Sequence, residues 1–279
     1  MKICRCAPAR PVDKRQALAA IRVHRKFAMM PHLARVAVVG NPCPPDFRLA
    51  ATVARVPGTG EIMLTIYGVY RSRATRNLWL AAELGLEFAH VPVIQAYRLQ
   101  DPASGPLNTM SPAFLAVNPA GLIPCIDDDG FVLTESMAIN LYLARKAGGP
   151  LGPADDREDA LMQQWALFAA GGIEGAALDI YYTYAEQRAD RADGAAEIAS
   201  AAAKLERPMA TLNRHLAGAG HMVGGRFTVA DINMAEVVRY ASAHAPLMTA
   251  NPAMAKWLAA CQARPAFAAM WARRLAEPA

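Results

Sequence analysis

Three short stretches hold side chains that could act together on a small ligand. The first, residues 67–76, mixes hydroxyls with guanidiniums: Tyr67, Tyr70, Arg71, Ser72, Arg73, Thr75 and Arg76. The second is Ile123-Pro124, and the third is Glu135-Ser136 at the head of an apolar run. A proline in an apolar strand removes a ladder donor, so it belongs at an edge or in a special bond. A cis peptide there would turn the chain sharply and leave the Ile123 backbone free to pair with something else. A helix starting near Ser136 has unpaired N–H groups at Glu135 and Ser136, and such an end attracts an anion. A strand-like backbone edge beside that helix start suits a small extended peptide carrying a carboxylate.

These groups need elements to hold them in place. An apolar strand is expected at 63–67. A helix follows at 75–83, with Leu78, Ala81 and Ala82 on one face and Gly85 as its stop. A second strand is expected at 88–94, and strand–helix–strand of this length implies a parallel pair with a right-handed crossover. Residues 95–117 read as a polar connection with one irregular short helix. Asp129-Gly130 reads as a hairpin turn between two strands, and a helix follows at 136–146. The order is therefore β-α-β-α-β-β-α over 63–147. The Gly- and Pro-rich stretch 148–156 reads as a linker.

From 157 to 279 the pattern is helical almost throughout. Residues 157–187 form one or two helices bearing Trp165, Phe168, Tyr181, Tyr182 and Tyr184. Packing in the core is the better reading for Trp165, whereas the tyrosines are open between core and ligand pocket. An amphipathic helix at 195–217 turns Ile198, Leu205 and Leu212 inward, with Pro208 as a kink or break. Thr228 and Asp231 have the spacing of a capping box, a structural device that satisfies the free N–H groups of a helix start.

Composition narrows the function classes. Residues 1–62 hold eleven Lys/Arg against three acids, which leaves 18 basic and 21 acidic residues in 63–279. The body is mildly acidic and has no basic face demanding nucleic acid. The leader reads as translated sequence upstream of the true start or as a disordered tail, with an Arg-rich targeting presequence as the third reading. No apolar run approaches the roughly 18 residues of a membrane span, so a soluble protein without membrane partners is expected. Five scattered cysteines give neither a disulfide framework nor a zinc pattern, which points to a reducing cytoplasm. The dispersed histidines lack ligand spacing, and no metal is expected. Cys125 is expected to be buried and inert.

The run Asn118-Pro119-Ala120-Gly121-Leu122-Ile123-Pro124, followed by Glu135-Ser136 and an apolar helix, resembles the glutathione S-transferase superfamily over roughly residues 63–275. The resemblance implies an N-terminal thioredoxin-like domain followed by an all-helical C-terminal domain. It also implies a homodimer, with glutathione as substrate. Ile123 would offer its backbone to the cysteinyl part of glutathione, and Pro124 would hold that edge open. Glu135 would meet the γ-glutamyl ammonium, and Ser136 with its N–H the carboxylate. Many relatives carry lysine or glutamine where this chain has Leu122, so a glycyl-carboxylate contact would fall to Arg71, Arg73 or Arg98.

Ser72 resembles the activating serine of serine-type members, and Arg71-Ser72 before a helix with Arg76 looks like the zeta-type arrangement; Thr75, Tyr70 and Tyr67 stay open. A thiol of pKa about 8.5 is only a few per cent thiolate at pH 7. A hydroxyl donating to the sulfur at a helix start would favour the anion. The expected activity is glutathione attack on a small hydrophobic electrophile. Isomerase, dehalogenase and peroxidase chemistry share the same residues. The alternative is a non-catalytic transferase fold for ligand binding or protein association.

Overall fold

The computed structural model describes residues 64–278; Met63 and the leader 1–62, with the readings made for it, lie outside them. The first half is built on a four-stranded sheet in the order β2-β1-β3-β4. Strand β1 (Leu64–Tyr67) pairs in parallel with β2 (Ala89–Val91), and the crossover between them is helix α1 (Thr75–Leu84). A short helix α2 (Pro112–Leu115) leads to the hairpin of β3 (Cys125–Asp128) and β4 (Phe131–Thr134), turning at Asp129-Gly130. β3 runs antiparallel to β1, with Tyr67 opposite Cys125. Helix α3 (Ser136–Ala147) closes this thioredoxin-like part in the order read from the sequence.

Strand β2 is shorter than the 88–94 run expected. Pro92 follows its last residue, and without an N–H it cannot continue the ladder. The connection to α2 contains a 3₁₀ turn, Ala96–Arg98, in addition to α2 itself.

The second part is helical: α4 (Asp156–Ala169), α5 (Gly175–Ala185), α6 (Ala192–Ala219), α7 (Val229–Val238), α8 (Ala245–Ala250), α9 (Pro252–Gln262) and α10 (Pro265–Ala276). A π-helical turn, Ala170–Glu174, joins α4 to α5. Asp155 caps α4 by accepting from the N–H groups of Arg157 and Glu158. Helix α6 runs 28 residues and continues through Pro208. Lys204, whose carbonyl loses its partner to that proline, is exposed, so water can replace the missing bond.

Both parts share one core. Ile66, Leu78, Trp79 and Ile139 pack into the same buried cluster as Met162, Ile232, Trp257 and Phe267. Trp165 belongs to this cluster. Helix α7 is buried along its whole length. Its capping box is formed: the Thr228 N–H donates to Asp231 Oδ2 at 2.9 Å, and the Thr228 hydroxyl accepts from the Ala230 N–H at 3.3 Å. Asp231 Oδ1 also accepts from the Trp257 indole at 2.8 Å and the Met222 N–H at 3.1 Å, tying α7 to α9 and the preceding loop. Among the described residues no helix is long and apolar enough to cross a membrane.

Candidate functional site

The β1–α1 turn begins at Gly68, where φ is +139°. A Cβ there would lie 2.9 Å from Ala74 Cβ and 3.5 Å from Ile123 Cβ, so glycine lets the turn pass close to the Ile123-Pro124 corner. The Ile123–Pro124 bond is cis. β3 begins after it at Cys125, which leaves Ile123 outside the ladder.

This turn forms one wall of a cleft of about 1240 Å³, lined by Ser72 and Ile123 among others. Small-molecule sites usually occupy about 300–1,000 Å³, so the cleft is larger than one such site needs. Arg71, Arg73, Tyr97 and Leu122 line the thioredoxin-like side. Tyr181 and Tyr182 of α5, Tyr240, and Phe267, Trp271 and Arg274 of α10 line the helical side. Tyr184 is not part of the lining; its hydroxyl lies 3.3 Å from His244 Nδ1.

Of the four hydroxyls in the turn, Ser72 alone lines the cleft. Thr75 is fully buried and donates to Glu236 Oε2 at 2.7 Å, while Ala74 occupies the helix-cap position. Tyr70 is buried and accepts from Arg273, and Tyr67 packs against Phe114. Ser72 Oγ donates to the Val69 carbonyl at 2.6 Å and accepts from the Ala74 N–H at 3.0 Å. Its one proton is therefore committed to Val69, and donation to a bound sulfur requires the hydroxyl to swing towards the cleft.

The Glu135-Ser136 pair sits at the start of α3, beyond the cleft lining. Glu135 is exposed with φ at +68°, and Ser136 is buried. A chain of charged groups links Ser136 back to the cleft. Ser136 Oγ accepts from Arg76 at 3.0 Å, and Arg76 donates to Glu174 Oε1 at 2.9 Å. The same oxygen accepts from Arg73 at 2.5 Å. Burial alone would raise the Glu174 carboxyl pKa, but Arg76 and Arg73 hold it below the usual glutamate value.

Glu174 was not singled out from the sequence. It rides on the π-helical turn, where an extra residue per turn redirects side chains, and the Gly171-Gly172 pair ahead of it is the one local sign of irregularity. A second buried pair, Glu236 with Arg239 at 2.9 Å, stands behind the turn through Thr75. Its i,i+3 spacing is visible in the sequence, but its burial is not. The α10 wall was also missed as a ligand surface, because Phe267 and Trp271 fit a core-facing stripe equally well.

Cys125 and Cys261 are buried free thiols, and burial pushes Cys125 up to about 12, so it stays protonated and unreactive. Among the described residues no three His, Cys, Asp or Glu side chains converge as a metal site.

Residues 70–146 match the family profile described as "Glutathione S-transferase, N-terminal domain", and residues 195–260 match "Glutathione S-transferase, C-terminal domain". A maize (Zea mays) protein, glutathione S-transferase 3, is 32% identical over 212 residues, covering 73% of this chain and 91% of its own. The chain belongs to the glutathione S-transferase family. Glutathione S-transferase D7 of Drosophila melanogaster is 29% identical, covering 70% of this chain and 82% of its own. Among solved structures, a theta-class glutathione S-transferase of Xanthomonas axonopodis pv. citri with glutathione bound is 27% identical at a TM-score of 0.58, covering 74% of this chain and 96% of that one. Glutathione transferase F7 of Populus trichocarpa is alike in fold, with a TM-score of 0.63 at 24% identity, covering 76% of this chain and 99% of that one. Glutathione transferase is thus the enzyme class of this chain, and a thioredoxin-like part followed by a helical part is its fold class.

Proposed function

We propose that the cleft binds glutathione along Ile123, that the Ser72 hydroxyl stabilises its thiolate, and that the sulfur attacks a small apolar electrophile seated against Tyr182, Phe267 and Trp271. The observation that carries this reading is the position of Ser72, a serine just ahead of a helix start that lines the same cavity as Ile123. A hydrogen bond to an ionised partner is worth about 1.5–3 kcal/mol, enough to hold much of the bound thiol as thiolate at neutral pH. The glutathione-bound relative supports the choice of ligand. Pro124 holds the Ile123 corner, and Glu135 and Ser136 receive the γ-glutamyl end. Arg76 and Glu174 fix Ser136 from behind. The glycyl carboxylate falls to Arg71 or Arg98, since Arg73 is engaged by Glu174.

A second reading, ligand binding without catalysis, has one observation in its favour: the Ser72 proton is directed at Val69. Glutathione affinity by calorimetry and conjugation to a neutral chlorodinitrobenzene separate the two. The transferase reading expects Ser72→Ala to lower kcat by about tenfold or more with affinity nearly kept, as loss of a transition-state interaction would do. Binding with no turnover above the spontaneous rate would establish the second reading. Ser136→Ala should weaken glutathione affinity by about tenfold while the protein remains folded; unaltered affinity would remove Ser136 from the site.

The protein is proposed to act in the cytoplasm, consistent with its buried free thiols. A homodimer is the proposed assembly. Phe131 and Val132 on the outer strand β4, and Leu161 and Leu167 on α4, are exposed apolar side chains available to cover.

A further inference from the structure

Charge is divided unevenly between the cleft and the rest of the molecule. Residues 63–279 contain more acids than bases, yet five arginines line the cleft (Arg71, Arg73, Arg98, Arg239 and Arg274) and no Asp or Glu does. Two of these are already paired with a carboxylate, Arg239 with Glu236 and Arg73 with Glu174, which it shares with Arg76. The other three are held by neutral groups or by none. Arg98 donates to Gln95 Oε1 and to the Pro278 carbonyl. Arg274 donates to the Tyr70 carbonyl at 2.5 Å. The Arg71 guanidinium forms no hydrogen bond or ion pair among the described residues. Glu277, the acid bordering this region, is taken up by the N–H groups of Tyr70 and Arg71 at 2.8 and 2.7 Å.

The three uncompensated cations are not equivalent. Arg71 and Arg98 stand on the thioredoxin-like side, within the stretch given to the glycyl carboxylate of glutathione. Arg274 comes from α10, its guanidinium bonded to the Tyr70 carbonyl of the β1–α1 turn and its guanidinium carbon 5.2 Å from the centre of the Trp271 ring. Trp271 in turn stacks on Phe267 with centroids 5.5 Å apart. Phe267 is buried behind Trp271, so the accessible aromatic surface is Trp271, with the guanidinium carbons of Arg239 and Arg274 4.8 and 5.2 Å from its ring centre. A flat ring that carries an acidic group matches such a surface. A guanidinium binds such a group through charge-assisted, geometrically specific bonds. A cleft lined by one sign of charge also concentrates anions.

We propose that the second substrate is an anionic aromatic electrophile, its ring against Trp271 and its carboxylate paired with Arg274. This rests on the transferase reading and replaces its apolar electrophile with one whose ring carries an acidic group. For a halogenated aryl acid the step balances as a substitution. The glutathione sulfur forms a bond to the ring carbon, the carbon–halogen bond breaks, halide leaves with the electron pair, and the thiol proton goes to solvent.

The test compares chlorodinitrobenzoate with its methyl ester, which share ring and leaving group but differ in charge. Each enzymatic kcat/KM is divided by the spontaneous rate constant with glutathione, using the full chain. The acid is expected to exceed the ester by about tenfold or more, a ratio that Arg274→Gln collapses and Arg274→Lys partly restores. The glutathione conjugates of the two compounds are also compared by calorimetry, which reads binding without requiring turnover. Preference for the acid conjugate with no turnover of either compound would overturn the transferase reading and leave the anion subsite standing. Turnover of both compounds without preference for the acid, or a preference that Arg274→Gln leaves intact, would overturn the anion subsite and leave the transferase reading standing.

Discussion

At the scale of single residues, the turn after β1 is specified by small groups in tight places. Gly68 is the clearest case, because a side chain there would need a backbone angle that L-residues rarely adopt and would press on Ala74. Gly68→Ala should destabilise the protein by about 1–3 kcal/mol, the usual cost of such strain, read as a lower urea midpoint at an unchanged slope. A midpoint equal to that of the unaltered protein would mean the turn relaxes freely. Ser72 was chosen by its resemblance to the activating serine of serine-type members, and it lines the cleft. Its commitment to the Val69 carbonyl was not legible, since residue type does not say which acceptor a hydroxyl will choose. Thr75, an open candidate in the sequence, is removed from the cleft by Glu236, a partner 161 positions away that no local pattern reveals.

At the scale of elements, the helices and strands were readable because period and punctuation agree. Gly85 closes α1 and Asp129-Gly130 turns the hairpin. The capping box at Thr228 and Asp231 opens α7, but its reach was hidden, because the Trp257 and Met222 donors come from distant segments. Asp231→Ala should therefore cost at least about 3 kcal/mol, combining the loss of a cap with two buried donors left unpaired. Asp231→Asn, which keeps an acceptor, should cost less. Denaturant curves of both variants check this, and equal losses would show that the long-range acceptor contacts contribute little. The π-helical turn and the ligand-facing side of α10 escaped the reading for a different reason: an apolar stripe gives the direction of a helix face but not whether protein or ligand covers it.

At the scale of the whole molecule, two buried carboxylates brace the joint between the sheet and the helices. Burial alone would raise Glu236 and Glu174, yet Arg239 for the first and Arg76 with Arg73 for the second hold both below the ordinary glutamate value of 4.5. The folded protein therefore releases these protons more readily than the unfolded chain does. Their contribution to stability is complete above the ordinary glutamate range and is lost as pH falls through the lowered folded values. Glu236→Gln should lower stability at neutral pH by about 3–5 kcal/mol by leaving Arg239 unpaired, and should flatten the acid limb of a urea-midpoint-against-pH curve. An acid limb as steep as that of the unaltered protein would locate the acid sensitivity elsewhere.

Activation of glutathione by Ser72 is tested most directly by titrating the ultraviolet thiolate band of bound glutathione against pH, in the unaltered full chain and in Ser72→Ala. The bound thiol of the unaltered protein should ionise well below the free-thiol value of about 8.5, and Ser72→Ala should move it back up by about one pH unit or more, equivalent to about 1.4 kcal/mol. Coincident titrations in the two proteins, with glutathione bound in both, would contradict a role for Ser72 in forming the thiolate.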